Sequence, residues 1–419
     1  MAIHPYPTLW PAVKPVFLTA MALFIFTIVI GILNGLDLYA PDHDTLITHV
    51  HAGTLGWITL AVSGAAMLIF TEGSESSDRD VAKARRLAWA MTGAIVLYSF
   101  SFFAGDRVPG DRIHRPVFGT ILFIIVVWFG VWLFQQNSSK TESSVVRLGI
   151  LLSWVSLIVG SIFGVILGIF SARGEVPGLS EDTASRLAES HPPSMVIGFL
   201  ILAAVAIAEW LIRTPKPMKE DKLGAAQMWM IFISGAVIIL ALAIDNEELL
   251  GPANGLEIIA VVFLLVRLRK ALPPDAWRGA GPGLYGRFSV IFLVANLVVL
   301  TVVVSQVISG AMDFDALTEA QFGLILTLDH LMFIGVMTMA LFGVLAKTMH
   351  PGSLGVADKV MLWGVTVGII GFAAGLISVT PVLKRISTPV LGVALLVGII
   401  LYSREILNES PTEATPLDR

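Results

Sequence analysis

The 419-residue chain has no cysteine, only five tyrosines, and only 14% of its residues are charged. Without thiols, disulfides, thiolate metal centres, iron–sulfur clusters and cysteine nucleophiles are excluded, and any transition metal must be held by His, Asp, Glu, Met or backbone oxygen. The scarcity of charge excludes an ordinary soluble globule, about 25% of whose residues are charged. A formal net charge of −4 leaves no basic footprint, so no nucleic-acid partner is expected. What is abundant is apolar: 56% of residues are hydrophobic, with 38 Gly, 23 Phe and 10 Trp, and the mean hydropathy is +0.83. This is the composition of a membrane protein, with lipid as its first partner.

Twelve apolar runs fall at 15–36, 48–71, 86–105, 115–135, 146–171, 191–212, 224–244, 252–272, 286–309, 322–346, 358–379 and 387–403. Each can cross ~30 Å of hydrocarbon at about 1.5 Å per residue. Helices are required, because lipid offers no partner to a free backbone N–H or C=O. The expected fold is therefore an all-α polytopic membrane protein of about twelve transmembrane helices. Residues 1–407 form one transmembrane domain, and 408–419 are expected to be a disordered cytoplasmic tail. The first run does not read as a cleaved leader, since no basic cluster precedes it and Asn34, Asp37 and Pro41 follow it.

Lys and Arg set the orientation. The termini and the loops after the even-numbered runs hold 20 of the 27 basic residues, so the positive-inside rule places both termini in the cytoplasm of a plasma membrane. The opposite loops carry Asp42, Asp44, Asp245, Glu247, Glu248, Asp313 and Asp315 among 15 acidic residues, against 7 basic ones. An acidic outer face of that kind suits docking of a basic extracytoplasmic electron donor.

The eight histidines are the informative residues. His49, His51, His114, His191 and His330 lie at or just inside the starts of runs 2, 4, 6 and 10, all in the outer leaflet, whereas His4 and His350 fall on the cytoplasmic side. An ionisable side chain at such depth is costly and marks a functional site. From His51 to His191 is 140 residues and from His191 to His330 is 139, so one His heads every fourth run. The chain thus reads as three four-helix repeats, approximately 15–135, 146–272 and 286–403. Gly56, Gly198 and Gly335 follow these histidines and permit close approach of a neighbouring helix or a flat ligand. His49 and His51, two residues apart on a helix, point to opposite faces, so one helix can serve two sites.

The stretch His49-Val50-His51-Ala52-Gly53-Thr54-Leu55-Gly56-Trp57 resembles the His-x-His helix of the haem-copper oxidase superfamily. The closest likeness is to the catalytic subunit I of high-affinity oxygen reductases and nitric-oxide reductases. The resemblance implies twelve helices in three pseudo-symmetric arcs, cytoplasmic termini and b-type haem, one or two copies, held toward the outer leaflet. By position it makes His51 or His49 the ligand from helix 2, His330 that from helix 10 and His191 that from helix 6. The expected pairs are His51 with His330 and His49 with His191. The chain also departs from the family. Run 7, around Gln227, Met228, Trp229 and Met230, has no His, run 10 has one where the family has two, and run 6 has no Tyr. The three-imidazole site for a second metal cannot form, and copper is not expected.

Among other polar residues, Glu257 lies within run 8 and is a candidate to complete a metal site or orient an imidazole. Asp329 precedes His330, and Glu209-Trp210 reads as an interfacial anchor. Arg107, Arg112 and Arg115 bracket His114 and could meet haem propionates. Met332, Met337 and Met339 read as packing around His330. The expected role is electron transfer, or nitric-oxide or oxygen chemistry at haem. A haem or gas sensor or carrier without turnover, and a transporter on the same fold, are the alternatives.

Overall fold

A computed structural model of the chain describes residues 9–72, 78–108, 112–140, 142–278, 281–313 and 316–408. Most of the tail expected to be disordered, 409–419, lies outside the described residues, as do His4 and Asp315. Among the described residues there is no β-sheet, an isolated bridge between Ser144 and Pro217 aside. Twelve helices among the described residues are long and apolar enough to span a membrane: α1 Trp10–Gly35, α2 His43–Thr71, α3 Asp78–Arg107, α4 His114–Ser138, α5 Val145–Arg173 and α6 Glu181–Ile212. The other six are α7 Lys222–Ala243, α8 Glu247–Leu268, α9 Gly283–Ile308, α10 Glu319–Met349, α11 Val356–Ile377 and α12 Pro381–Asn408. The protein is a polytopic, all-helical membrane protein.

Helix starts are set by short polar caps. Asp42 accepts from Thr45 N (2.7 Å), Asp221 accepts from Gly224 N (2.9 Å), and Thr318 and Gln321 form a reciprocal capping box. Capping also explains why α6 starts ten residues before its apolar run. Ser180 caps a polar turn, and Asp182 and Arg186 pair across it, so the helix continues beyond what hydropathy detects.

Hydrophobic residues surround most spans, and burial decides which helices are central. In α2 and α6, 89% and 83% of the most apolar window is buried, against 33% in α1. The inner half of α10, from Val336 to Ala346, is almost wholly sealed, and α10 packs against both α2 and α6. The three helices that carry His49 and His51, His191 and His330 are thus packed together inside the bundle. Each contains the same irregularity just past its histidine: a π-helical stretch at Ala52–Thr59, Ser194–Leu200 and Leu331–Thr338. A π turn leaves carbonyls poorly paired, and hydroxyls compensate. Thr59 donates to Thr54 O (2.9 Å) and Thr338 to Phe333 O (2.7 Å), each threonine standing eight residues after His51 or His330.

At the opposite end of the bundle, Glu209 and Trp210 correct their expected reading as a simple interfacial anchor. Glu209 is fully buried and accepts from Arg213 (2.5 Å) and Arg267 (2.7 Å), while Asp221 accepts from the same two guanidinium groups. Trp210 donates to Glu72 (2.9 Å), and the Lys347 ammonium lies 3.6 Å from its ring centroid. The ends of α2, α6, α8 and α10 and the start of α7 are clamped together by charge rather than spread along a headgroup layer.

Candidate functional site

A cavity of about 480 Å³ opens between α1, α2, α10, α11 and α12. That volume is in the range of small-molecule and cofactor sites, ~300–1,000 Å³. Two imidazoles enter it from different helices, His49 from α2 and His330 from α10, with Phe24, Trp57 and Phe372 among the apolar walls. Gly31 of α1 makes room for His49: a Cβ there would lie 3.4 Å from the His49 Cε1. Asp329 also lines the cavity, and Asp37 and Lys384 are at its edge.

His330 is held in one tautomer by its own helix. Its Nδ1 lies 2.7 Å from Leu326 O, so Nδ1 carries the hydrogen and Nε2 keeps its lone pair free. His51 repeats the arrangement, with Nδ1 2.9 Å from Ile47 O, and His191 achieves it across helices, with Nδ1 2.9 Å from Gly160 O of α5. Anchoring Nδ1 to a carbonyl and leaving Nε2 available is how ligating histidines are usually oriented. In His49 the Nδ1 is buried and has no partner, while its backbone carbonyl accepts from Thr27 (3.2 Å).

The pairing differs from the one expected. The two residues of the His-x-His pair do face apart, but His49 is the one that shares the cavity with His330. His51 lies instead within electrostatic range of His191. Its ring stacks on Phe102 at 3.7 Å, beside Tyr98. His191 packs against α5 so tightly that a Cβ on Gly164 would lie 2.9 Å from its Cε1. The exchange follows from the 200° separation of residues two apart on a helix: once α2 docks with Gly53 and Gly56 against α1, His49 must turn toward α10.

Glu257 is not brought to these histidines. It sits on α8, which packs against α7 and α9, and it does not line the cavity. Among the described residues no three His, Asp or Glu side chains converge as a metal site. The three arginines near His114 are already engaged: Arg107 with Asp42 (2.6 Å), Arg112 with Asp106 (2.6 Å) and Arg115 with buried Asp44 (2.5 Å). Met332, Met337 and Met339 are fully buried and none lines the cavity.

Two features of the site had escaped sequence reasoning. The cavity edge carries Lys384 and, next to it, Arg385, which bind the two oxygens of Asp37 at 2.9 and 2.7 Å and hold its carboxyl below the usual range. These residues are 347 and 348 positions apart in the chain, so no local pattern announces them. The second feature is the pair Thr59 and Thr338, whose equal spacing from a histidine is legible once the π turns are known.

The fold and the cavity define a class, a polytopic helical membrane protein with an imidazole-lined cavity among its spans. No family model matches the chain, and no curated protein matches it.

Proposed function

We propose that this chain is a haem-binding integral membrane protein similar to the catalytic subunit of haem-copper oxidases, with b-type haem between His49 and His330. One observation carries the reading: two imidazoles from two helices open on one apolar cavity, and among the described residues no cluster of three His, Asp or Glu forms around them. A bare transition-metal ion needs three or four protein ligands. Two suffice where a macrocycle supplies the others, as in bis-imidazole haem. The free Nε2 of His330, fixed by Leu326 O, fits that role, and the unpartnered Nδ1 of His49 leaves its ring able to turn.

When bound, haem supplies one-electron redox chemistry and, where an axial position is open, a place for nitric oxide or oxygen. The chain's own residues do the rest. Phe24, Trp57 and Phe372 would keep water from the bound group, and at the cavity edge Lys384 is held by Asp37. His51 and His191 are the second candidate pair, with Phe102 and α5 already covering their rings, so that Nε2 is what remains for a ligand.

The recurrence of a histidine followed by a π turn in α2, α6 and α10 supports three pseudo-symmetric arcs of four helices. The distribution of Lys and Arg supports cytoplasmic termini in a plasma membrane, and the acidic outer loops support a basic extracytoplasmic donor. Electron transfer or nitric-oxide or oxygen chemistry at haem is the function that follows.

The absorption spectrum of the purified protein tests this. A Soret band is expected, and its intensity per protein should fall in His49→Ala and in His330→Ala, to zero if this is the one haem bound and by about half if the His51–His191 pair holds a second. Carbon monoxide or nitric oxide added to the dithionite-reduced protein then separates gas chemistry, which shifts the band, from electron transfer through two fixed imidazoles, which does not. Absence of a Soret band, with metal content unaffected by either substitution, overturns the reading.

A further inference from the structure

Glu257 is the buried ionisable residue that the histidine pairs leave unexplained. It lies midway along α8 with no exposed surface, and neither carboxylate oxygen meets a hydrogen-bond donor. Asn254, three residues earlier and on the same side of the helix, donates its amide N–H to Thr301 of α9 (3.2 Å), which leaves its Oδ1 buried and unpartnered as well. The nearby hydroxyls are spent. Thr301 donates to Leu297 O (2.8 Å), and Ser234 of α7 donates to Ala253 O (2.8 Å). Three acceptor oxygens are therefore sealed on one side of α8 with the surrounding donors committed elsewhere.

Among the described residues no cation on the neighbouring helices balances them. The titratable groups of the helices packed against α8 are Lys222 on α7 and Tyr285 and Arg287 on α9. All three sit in the first two turns of antiparallel helices, roughly 15 Å along the bundle from Glu257. On α8 itself Glu247, Glu248 and Arg267 are at the two ends, and Arg267 is engaged by Glu209 and Asp221. A carboxylate surrounded by acceptors and by lipid-depth apolar walls is strongly unfavourable unless a positive species joins it. Oxygen-only coordination suits a hard cation rather than a soft transition metal, and a single carboxylate beside a neutral amide oxygen balances one positive charge.

We propose that Glu257 and Asn254 form an intramembrane site for a monovalent cation, a proton or a sodium ion, separate from the histidine cavity and loaded by exchange across α8. The site does not depend on haem, so its test is independent of the functional reading above.

Infrared difference spectroscopy of the full chain in lipid reads it directly. With choline as the only other cation, wild-type protein is expected to show the carbonyl band of a protonated carboxylic acid that Glu257→Gln lacks and Glu257→Asp retains at a shifted position. If sodium is the occupant, replacing choline by Na⁺ bleaches the band, and Asn254→Ala requires at least tenfold more Na⁺ to do so. If the proton is, Na⁺ has no effect. Dicyclohexylcarbodiimide, which modifies protonated carboxyls in membranes, is expected to label Glu257 in the wild type, with Na⁺ protecting it in the first case only. Wild-type spectra that superimpose on those of Glu257→Gln at every pH and Na⁺ concentration, together with no label on Glu257, overturn the proposal. Should Glu257→Gln fail to fold, the labelling of wild-type protein alone decides it.

Discussion

The indole N–H of Trp57 donates to the hydroxyl of Thr338 at 2.9 Å, joining the π-helical stretch of α2 to that of α10 across 281 residues of chain. Both groups are buried, and Thr338 passes its own hydrogen to Phe333 O, the carbonyl left open by the π turn. The bond therefore ties two backbone irregularities together directly beneath His49 and His330. Trp57 further stacks on Phe24 at 5.0 Å, so the same side chain also forms a wall of the cavity.

Replacing Thr338 by Val, which keeps the shape and removes the hydroxyl, leaves the Trp57 N–H and Phe333 O unsatisfied. The expected cost is about 1–3 kcal/mol, with Thr338→Ser recovering most of it. Thermal unfolding in detergent, followed by tryptophan fluorescence, checks this. A midpoint equal to wild type for Thr338→Val would show that the bond contributes nothing.

Pairing of the histidines predicts a pattern of additivity. His49→Ala and His330→Ala should each remove the same haem, and the double variant should lose no more than either single one, since both act on one site. His49→Ala combined with His191→Ala should instead sum two separate losses. Haem-to-protein ratios from absorption and protein assay distinguish the patterns. Additivity in the first combination and not in the second would restore the crossed pairing.

Space around the two pairs differs. A Cβ on Gly164 meets the His191 ring at 2.9 Å, too close to be tolerated, whereas one on Gly31 meets His49 at 3.4 Å and needs only a slight shift. Gly164→Val should push His191 off Gly160 O and abolish ligand binding at the His51–His191 pair while leaving the His49–His330 pair intact. Gly31→Ala should lower occupancy at His49–His330 less than twofold. Spectra of the two variants in a background lacking the other pair provide the measurement.

The buried charge clamp predicts an acid limit. Burial raises the Asp221 carboxyl, but hydrogen bonds from Arg267 and Arg213 outweigh it and hold the group down at about 2. Because the folded value lies below the ordinary 3.8, the clamp stabilises fully above about pH 4 and is lost as pH falls from there toward 2. Asp221→Asn should flatten the decline of the unfolding midpoint in that window. Arg267→Met, which leaves buried Glu209 and Asp221 with Arg213 as their one remaining cation, is expected to cost about 3–5 kcal/mol at neutral pH. An unchanged midpoint for Arg267→Met would assign the clamp to Arg213 alone.

The twelve spans were legible in sequence because hydrocarbon imposes one solution on a backbone, and the apolar runs mark it at nearly the observed positions. The four histidines stood out for the same reason, as ionisable groups at a depth where they are expensive. The extra turns of α6 were not legible, since Ser180 and the Asp182–Arg186 pair prolong a helix that hydropathy has already left. Glu209 misled because a carboxyl beside Trp at a span end looks like an anchor, and its two arginine partners, Arg213 and Arg267, lie 4 and 58 residues away.

Sequence alone determined that the chain is a membrane protein, that about twelve of its segments are long and apolar enough to cross, and that His49 and His51 face opposite sides of one helix. Those properties depend on local hydropathy and on the 3.6-residue helical period, which act within a few turns. Tertiary structure alone decided that His49 and His330 open on one cavity while His51 turns to the side of His191, that Lys384 and Asp37 share the cavity edge, and that Glu257 lies outside that cavity. Those relationships depend on how each helix is rotated about its axis, and small-residue contacts such as Gly53 and Gly56 against α1 set that rotation between segments far apart in the chain.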